Sequence, residues 1–158
     1  MRSLAAALLL ALAACGAPAD APPAAQPAQA LHIDNAWAPP TPRGVDVSAG
    51  YLTITNNSSA DDALIGASSA RAERVEVHEM TMQDGVMQMR PAARLPISAG
   101  DSIALAPGGR HLMFFGVAPP FAEGETIPVR LTLERAGAID VSLPVRHPSA
   151  ASPRHDGH

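Results

Sequence analysis

Short segments of alternating apolar and polar residues, separated by turn-forming residues, constrain the fold of this chain more than any other feature. A period of two residues is typical of a β-strand with one buried face, and clusters of Pro, Gly, Asn and Ser end such strands. Eight segments fit this description: 49–55, 63–67, 74–80, 86–90, 102–105, 112–117, 127–133 and 139–145. Because no segment has the period of an amphipathic helix, the sequence predicts an all-β fold, an antiparallel Greek-key sandwich or barrel.

The amino terminus carries an export signal. Arg2 precedes the apolar run 4–12, which is typical of a secretory signal and too short to span a bilayer as a helix. Residues 12–15, Leu-Ala-Ala-Cys, resemble the lipobox of bacterial lipoproteins. This resemblance predicts that 1–15 is a lipoprotein signal peptide and that Cys15 becomes a lipidated N-terminus in the periplasm or cell envelope. The alternative is a plain signal peptide in which Cys15 is incidental.

The remaining chain divides into a tether, one domain and a tail. Residues 16–30 are almost entirely Ala, Pro, Gly and Gln, so they lack the large apolar side chains that offset the entropy of chain ordering. They are interpreted as a flexible tether. Residues 31–147 are long enough for one domain with its own core. Residues 148–158 are interpreted as a flexible, His-containing tail.

Methionine and histidine are concentrated in one part of the predicted domain. Five of the six methionines lie between Met80 and Met113; His111 is within this stretch, and His78 is two residues before it. Cu(I) prefers such sulfur donors, whereas Zn(II), Mg(II) and Ca(II) make little use of a neutral thioether. In an extended strand, the side chains of His111 and Met113 point to the same face. The pattern indicates a soft-metal site, with core packing as the alternative for any single methionine.

Alternation within the predicted strand 74–80 separates a candidate ligand from the core. Val75 and Val77 share one face, and Glu76 and His78 share the other. The valines are expected to face the core, so His78 is expected to face outward.

A hairpin is predicted between this strand and the next. Asp84-Gly85 is a typical two-residue turn, which would bring His78 and Met89 together across a ladder. Met87 and Met89 share a face of the second strand, and periodicity alone leaves that face undecided between core and site.

The spacing of the candidate ligands resembles that of a known family. His78 is followed after ten residues by Met89, after twenty-one more by His111, and through one further residue by Met113. This His-x10-Met-x21-His-x-Met arrangement, together with the local sequence at 107–113, resembles the periplasmic PCu(A)C copper chaperones. The similarity extends over roughly the whole predicted domain.

The resemblance implies a cupredoxin-like sandwich, in agreement with the strand pattern. The resemblance also implies that the Cu(I) ligands are His78, Met89, His111 and Met113. Met80 matches a methionine that often accompanies the first histidine and is held as an auxiliary metal donor. Met82 and Met87 match nothing in the four-ligand pattern and are interpreted as packing or as a loose outer sulfur shell. The resemblance also implies delivery of copper to the binuclear centre of cytochrome c oxidase, through its subunit II or another copper-delivery protein.

Absent features exclude several other functions. Cys15 is the only cysteine, so a lipidated chain has no thiol for a disulfide, for reduction of a partner, or for a blue-copper centre. His78-Glu79 begins like a zinc-protease helix, but Met82 stands where that motif needs its second histidine. No catalytic triad, phosphate loop or acid pair is evident, so the chain is predicted not to be an enzyme. A net charge of −4 argues against nucleic-acid binding.

The sequence therefore predicts a monomeric, lipid-anchored extracytoplasmic copper chaperone that binds one Cu(I) and delivers it to a protein acceptor. The alternatives are a copper-buffering or tolerance lipoprotein without a dedicated acceptor, and a structural sandwich with an accidental methionine cluster. The tail adds one expectation. His147, His155 and His158 are harder donors than thioethers, so they suit Cu(II) better than Cu(I).

Overall fold

Ten β-strands make up the regular structure of residues 30–148, the part of the chain that the computed structural model describes. They are β1 (Leu31–Trp37), β2 (Val47–Asn56), β3 (Asp62–Ser68), β4 (Arg74–Gln83), β5 (Val86–Pro91), β6 (Leu95–Ile97), β7 (Ser102–Leu105), β8 (His111–Phe115), β9 (Thr126–Leu133) and β10 (Gly137–Pro144). Within this range, no helix has the length and apolarity needed to cross a membrane. The predicted all-β fold is confirmed, and each of the eight predicted segments overlaps a strand.

The sequence analysis did not predict two of the strands, β1 and β6. β1 contains no fully buried residue, and its pairing with β2 shifts register between Asp34 and Trp37, so it lacks the regular alternation of a half-buried strand. β6 is only three residues long, with Pro96 at its centre. Both are too irregular or too short for a periodic signal.

The strands form one antiparallel sheet that bends almost into a barrel. The order along it is β1-β2-β8-β4-β3-β9-β10, with β5, β6 and β7 paired to β4, β3 and β2. The first part of β2 pairs with β8, and its second part pairs with β1 and β7, so β2 joins the two parts of the sheet. A bridge between Ala38 and Val145 links the ends of β1 and β10. The non-sequential order places β8 beside β4.

The core fills the inside of this sheet. Strict alternation in β9 buries every second residue, and Phe114 packs edge-on against Phe121, with ring centroids 5.4 Å apart. On β4 and β8, the core-facing side chains are Val75, Val77, Leu112 and Phe114. Since side chains alternate along a strand, the intervening residues of β4 and β8 lie on the outer face of the sheet. That outer face carries the candidate ligands.

Candidate metal centre

Two histidines lie side by side on the outer face of β4 and β8. The register of these antiparallel strands sets His78 directly opposite His111, and the centroids of their rings are 6.0 Å apart. Both residues are buried, although they point away from the core. Phe115, whose ring centroid is also 6.0 Å from that of His78, helps to shield His78 from solvent. The expectation that His78 faces away from the valines is confirmed, but the residue is not solvent-exposed.

Each imidazole is left with one nitrogen free to bind a metal. His111 Nδ1 lies 3.0 Å from the carbonyl oxygen of Gly109. Because a carbonyl only accepts, Nδ1 carries the proton and Nε2 keeps its lone pair. His78 Nε2 lies 2.8 Å from Glu76 Oε2, so Nε2 donates to the carboxylate and Nδ1 keeps the lone pair.

The free nitrogen of His78 is buried and unpaired. Among the described residues, its Nδ1 has no hydrogen-bond partner. A buried acceptor without a partner costs roughly 1–3 kcal/mol, and such atoms are uncommon in folded proteins. A metal ion bound to this nitrogen would remove that cost, so the histidine pair fits a coordinating role.

Glu76 orients His78 and is the functional residue that the ligand spacing does not reveal. Its carboxylate also lies 2.7 Å from Arg74 Nε. The hydrogen bond from His78 lowers the pKa of Glu76. Partial burial raises this pKa, and the charge of Arg74 lowers it. The carboxylate is therefore ionised at neutral pH. The strand alternation contained the signal, because it places Glu76 on the same face as His78.

Met113 lies on the same face, two residues beyond His111. It is partly buried and stands directly opposite Glu76 on β4. The expectation that both ends of the His111-Leu112-Met113 tripeptide share a face therefore agrees with the structure.

Met89 is on the same face but lies further out. It pairs with Met80 rather than with His78, and its side chain is 48% exposed. β5 flanks β4 on the side opposite β8, because His78 pairs with a residue on each. In a flat sheet, the Cα atoms of Met89 and Met113 would be about 16 Å apart, two strands across and four residues along. Binding of one ion by both therefore requires the β4–β5 ribbon to coil over the face, as strongly twisted two-stranded ribbons can.

The remaining methionines complete a sulfur-bearing surface. Met82 pairs with Met87 across the hairpin, on the face that Met80 and Met89 occupy. Met82 is 69% exposed and Met87 is 56% exposed. Core packing, one of the two interpretations of Met82 and Met87, is therefore wrong, and the undecided face of β5 is not a core face.

The remaining predicted site residues lie at or beyond the ends of the described range. His147 is exposed, with its Nε2 3.7 Å from a Glu123 oxygen. Cys15, His155 and His158 lie outside the described residues. Within residues 30–148, no group of three or more His, Cys, Asp or Glu side chains is arranged to hold a metal.

Comparison with known proteins places the chain in a family. A family model described as "Putative lipoprotein LpqE-like" matches residues 31–145. The chain belongs to the LpqE-like family. A relative of this LpqE-like chain, "Putative lipoprotein Lxx21020" of Leifsonia xyli subsp. xyli (strain CTCB07), is 30% identical over 155 residues, which is 96% of this chain and 92% of the relative.

Solved structures agree with this assignment. The LpqE-like chain is similar to apo-DR1885 from Deinococcus radiodurans, with 26% identity, a TM-score of 0.60 and coverage of 89% of this chain and 97% of the other. The Cu(I) form of DR1885 is 29% identical at a TM-score of 0.54, covering 82% and 89%. A copper-bound PCuAC domain from PmoF2 is 21% identical at a TM-score of 0.64, covering 75% and 94%. The PCu(A)C-type, cupredoxin-like fold is confirmed. The PCu(A)C copper chaperones are non-enzymatic metal-handling proteins, in agreement with the prediction that the chain is not an enzyme.

Proposed function

We propose that this protein is an extracytoplasmic copper chaperone that binds one Cu(I) through His78, Met89, His111 and Met113. The observation that carries the proposal is the pair of adjacent, buried imidazoles, each with one unprotonated nitrogen, on a face that also bears thioethers. The known copper-bound and Cu(I)-bound forms of related domains support it.

The donor set suits transport of Cu(I) better than storage or catalysis. Thioethers are soft, uncharged donors that favour Cu(I), and imidazole adds stronger nitrogen donation. The histidines are buried, whereas Met89 is half exposed. An incoming protein can therefore displace the exposed sulfur first and take the ion by stepwise ligand exchange. The proposed acceptor is the binuclear copper centre of cytochrome c oxidase, reached through its subunit II or another delivery protein.

The ligand set is tested by Cu(I) titration and X-ray absorption on variants. Met113→Leu and Met89→Leu keep side-chain volume nearly constant, so the free energy of unfolding should change by less than about 1.5 kcal/mol. The affinity for Cu(I) should fall in both, and the sulfur signal around copper should weaken. His78→Ala should also lower the affinity.

The matched control is His32→Ala. His32 is an exposed histidine whose Nε2 lies 3.0 Å from a carboxylate two residues away in the same strand, Asp34, as His78 lies near Glu76. Its replacement should leave Cu(I) binding unchanged. Only nitrogen and oxygen neighbours around Cu(I) in the wild-type protein would contradict the proposed site.

Delivery is tested separately from binding. Copper should pass from the loaded protein to an apo fragment of the oxidase subunit faster than it passes to a small chelator of equal affinity. Equal rates to both acceptors would favour the copper-buffering alternative instead.

A further inference from the structure

The β4–β5 hairpin exposes apolar side chains to an extent that the rest of the described surface does not. Six large hydrophobic residues are exposed among residues 30–148, and four of them are in this hairpin. They are Met82, Val86, Met87 and Met89. Exposed apolar side chains gathered in one place usually mark a functional surface.

The hairpin has one thioether face and one polar face. Two adjacent cross-strand pairs, Met80 with Met89 and Met82 with Met87, form the thioether face. The charged residues adjacent in sequence to these methionines, Glu79 and Arg90, point the other way. Arg90 donates hydrogen bonds to Gln83 and Gln88, at 3.2 and 2.6 Å, on the polar face. The two methionine pairs are open to solvent, and the charged residues on the same face of β4, Arg74 and Glu76, lie beyond His78 at the other end of the strand.

The polar face is also tied to the rest of the fold. Glu79, on that face, lies 2.8 Å from the guanidinium of Arg110, which directly precedes β8. The β4–β8 ladder holds the base of the hairpin beside His78 and His111, and this exposed ion pair adds little to it.

The geometry of the thioether face suits a soft cation. Side chains directly opposite in an antiparallel pair have Cβ atoms about 5 Å apart, and the next pair along the ladder is about 7 Å away. Methionine has three rotatable bonds, so three sulfur atoms of this small rectangle can converge on one ion. Among the common biological cations, only a soft one such as Cu(I) gains from an all-thioether site.

We propose that Met80, Met82 and Met87 hold a second Cu(I), through which the ion enters and leaves the His78–His111 site. Binding of the second ion does not depend on the proposed function, whereas its transfer to the His78–His111 site rests on that function. On this face of the ladder, the Met80–Met89 pair follows the pair formed by His78 and Pro91, and the Met82–Met87 pair comes next. Cu(I) can therefore pass between the sites by exchanging one neutral sulfur for another donor. The metal is neither oxidised nor reduced, and no proton is transferred at sulfur.

Titration of the full chain with Cu(I) tests the second site through the number of ions bound. The wild-type protein should bind two Cu(I), the second more weakly and with a sulfur-only X-ray absorption signature. Met82→Leu/Met87→Leu should bind one, with the affinity of the tighter site changed by less than twofold. Transfer of copper to an acceptor should slow about tenfold in this variant. A wild-type protein that binds a single Cu(I), or a double variant that still binds two, would overturn the second site.

Two further variants separate this proposal from its alternatives. Gln83→Leu/Val86→Leu alters the directly paired residues on the polar face of the same hairpin and should keep both ions. His78→Ala should lose the tighter ion and keep the sulfur-only one. If His78→Ala instead binds as the wild type does, the proposed function fails while the second site stands.

The remaining alternative is a protein-docking surface that uses the methionines only as apolar contacts. Leucine preserves such contacts, whereas glutamine does not. Normal transfer in Met82→Leu/Met87→Leu with slow transfer in Met82→Gln/Met87→Gln would therefore overturn the metal role. Slow transfer in both variants supports it.

Discussion

His78 and His111 are held in opposite tautomers by different neighbours. A main-chain carbonyl holds His111, and a charged carboxylate holds His78. The two rings therefore offer different nitrogens, Nε2 and Nδ1, to the same region of the sheet surface. Groups that orient a metal-binding imidazole also raise its basicity. Glu76 thus acts as a positioning residue for His78.

Replacing Glu76 should weaken copper binding without removing a ligand. Loss of such an orienting partner typically costs about 10-fold to 100-fold in metal affinity. We expect Glu76→Ala to lower the Cu(I) affinity by about 10-fold, and Glu76→Gln to lower it less, because the amide oxygen can still accept from His78. The measurement is competition against a Cu(I) chelator at neutral pH.

Glu79→Ala provides the control for this effect. Glu79 is on the same strand, is similarly exposed, and also pairs with an arginine, but it lies on the polar face. Its removal should leave the affinity within about twofold. A comparable loss in both variants would mean that general charge, rather than orientation of His78, controls the site.

At the scale of the element, the β4–β5 hairpin determines where Met89 lies relative to the histidines. Its two-residue turn requires positive φ at both positions, 53° at Asp84 and 77° at Gly85. Asp-Gly suits this turn type, because its twist matches that of the flanking strands. The turn therefore fixes the register of four methionines.

Gly85→Ala should strain this turn. A Cβ at Gly85 would meet no other atom within 4 Å, so the cost is conformational. It should lower the free energy of unfolding by about 1 kcal/mol, because an L-residue resists positive φ. It should also weaken Cu(I) binding by disturbing the position of Met89. Denaturant unfolding and Cu(I) titration measure the two effects.

Gly66→Ala is the corresponding control in β3. The added Cβ there would make only an ordinary contact, 3.8 Å from Thr132 Cβ, and no positive φ is involved. Unfolding and copper binding should both stay close to wild type. Copper binding that is unaffected in Gly85→Ala, despite the loss of stability, would show that the turn does not position a ligand.

At the scale of the whole molecule, the proposed copper site lies on one outer face of a nearly closed sheet, and the predicted lipidation signal lies in a separate part of the chain. The LpqE-like family and the Leifsonia relative are both described as putative lipoproteins. A lipid at Cys15 would keep the site close to membrane-bound acceptors. The sequence 16–30 would then provide the reach between lipid and domain.

Cys15→Ser should release the protein from the membrane fraction or stall its processing. The check is fractionation of cells that express the wild-type or variant chain, with mass spectrometry of the mature amino terminus. A wild-type protein that is soluble and carries a free thiol at Cys15, or lacks Cys15, would contradict lipidation.

Deletion of 148–158 should remove a Cu(II)-selective binding event and leave Cu(I) stoichiometry unchanged. The deleted segment contains His155 and His158, whose imidazoles suit Cu(II). Calorimetric titration with each oxidation state provides the measurement. Unchanged Cu(II) binding in the truncated chain would show that these histidines have no metal role.

The sequence by itself determined the features that depend on local pattern. Alternation separates Val75 and Val77 from His78, and Asp84-Gly85 marks the hairpin turn. The fold class follows from the same periodicity. The sequence also shows the donor types that suit a soft metal, because ligand preference depends on the chemical nature of the side chain.

The tertiary structure alone decided which strands lie side by side and what covers each residue. β8 lies against β4 although 32 residues separate His78 from His111 in the sequence, so the direct opposition of the two histidines cannot be read from either strand. The same packing buries both imidazoles and leaves Met82 and Met87 exposed. Periodicity reports only which face of a strand a side chain occupies. Pairing order and burial depend on contacts between distant segments, which the nearly closed sheet satisfies all at once.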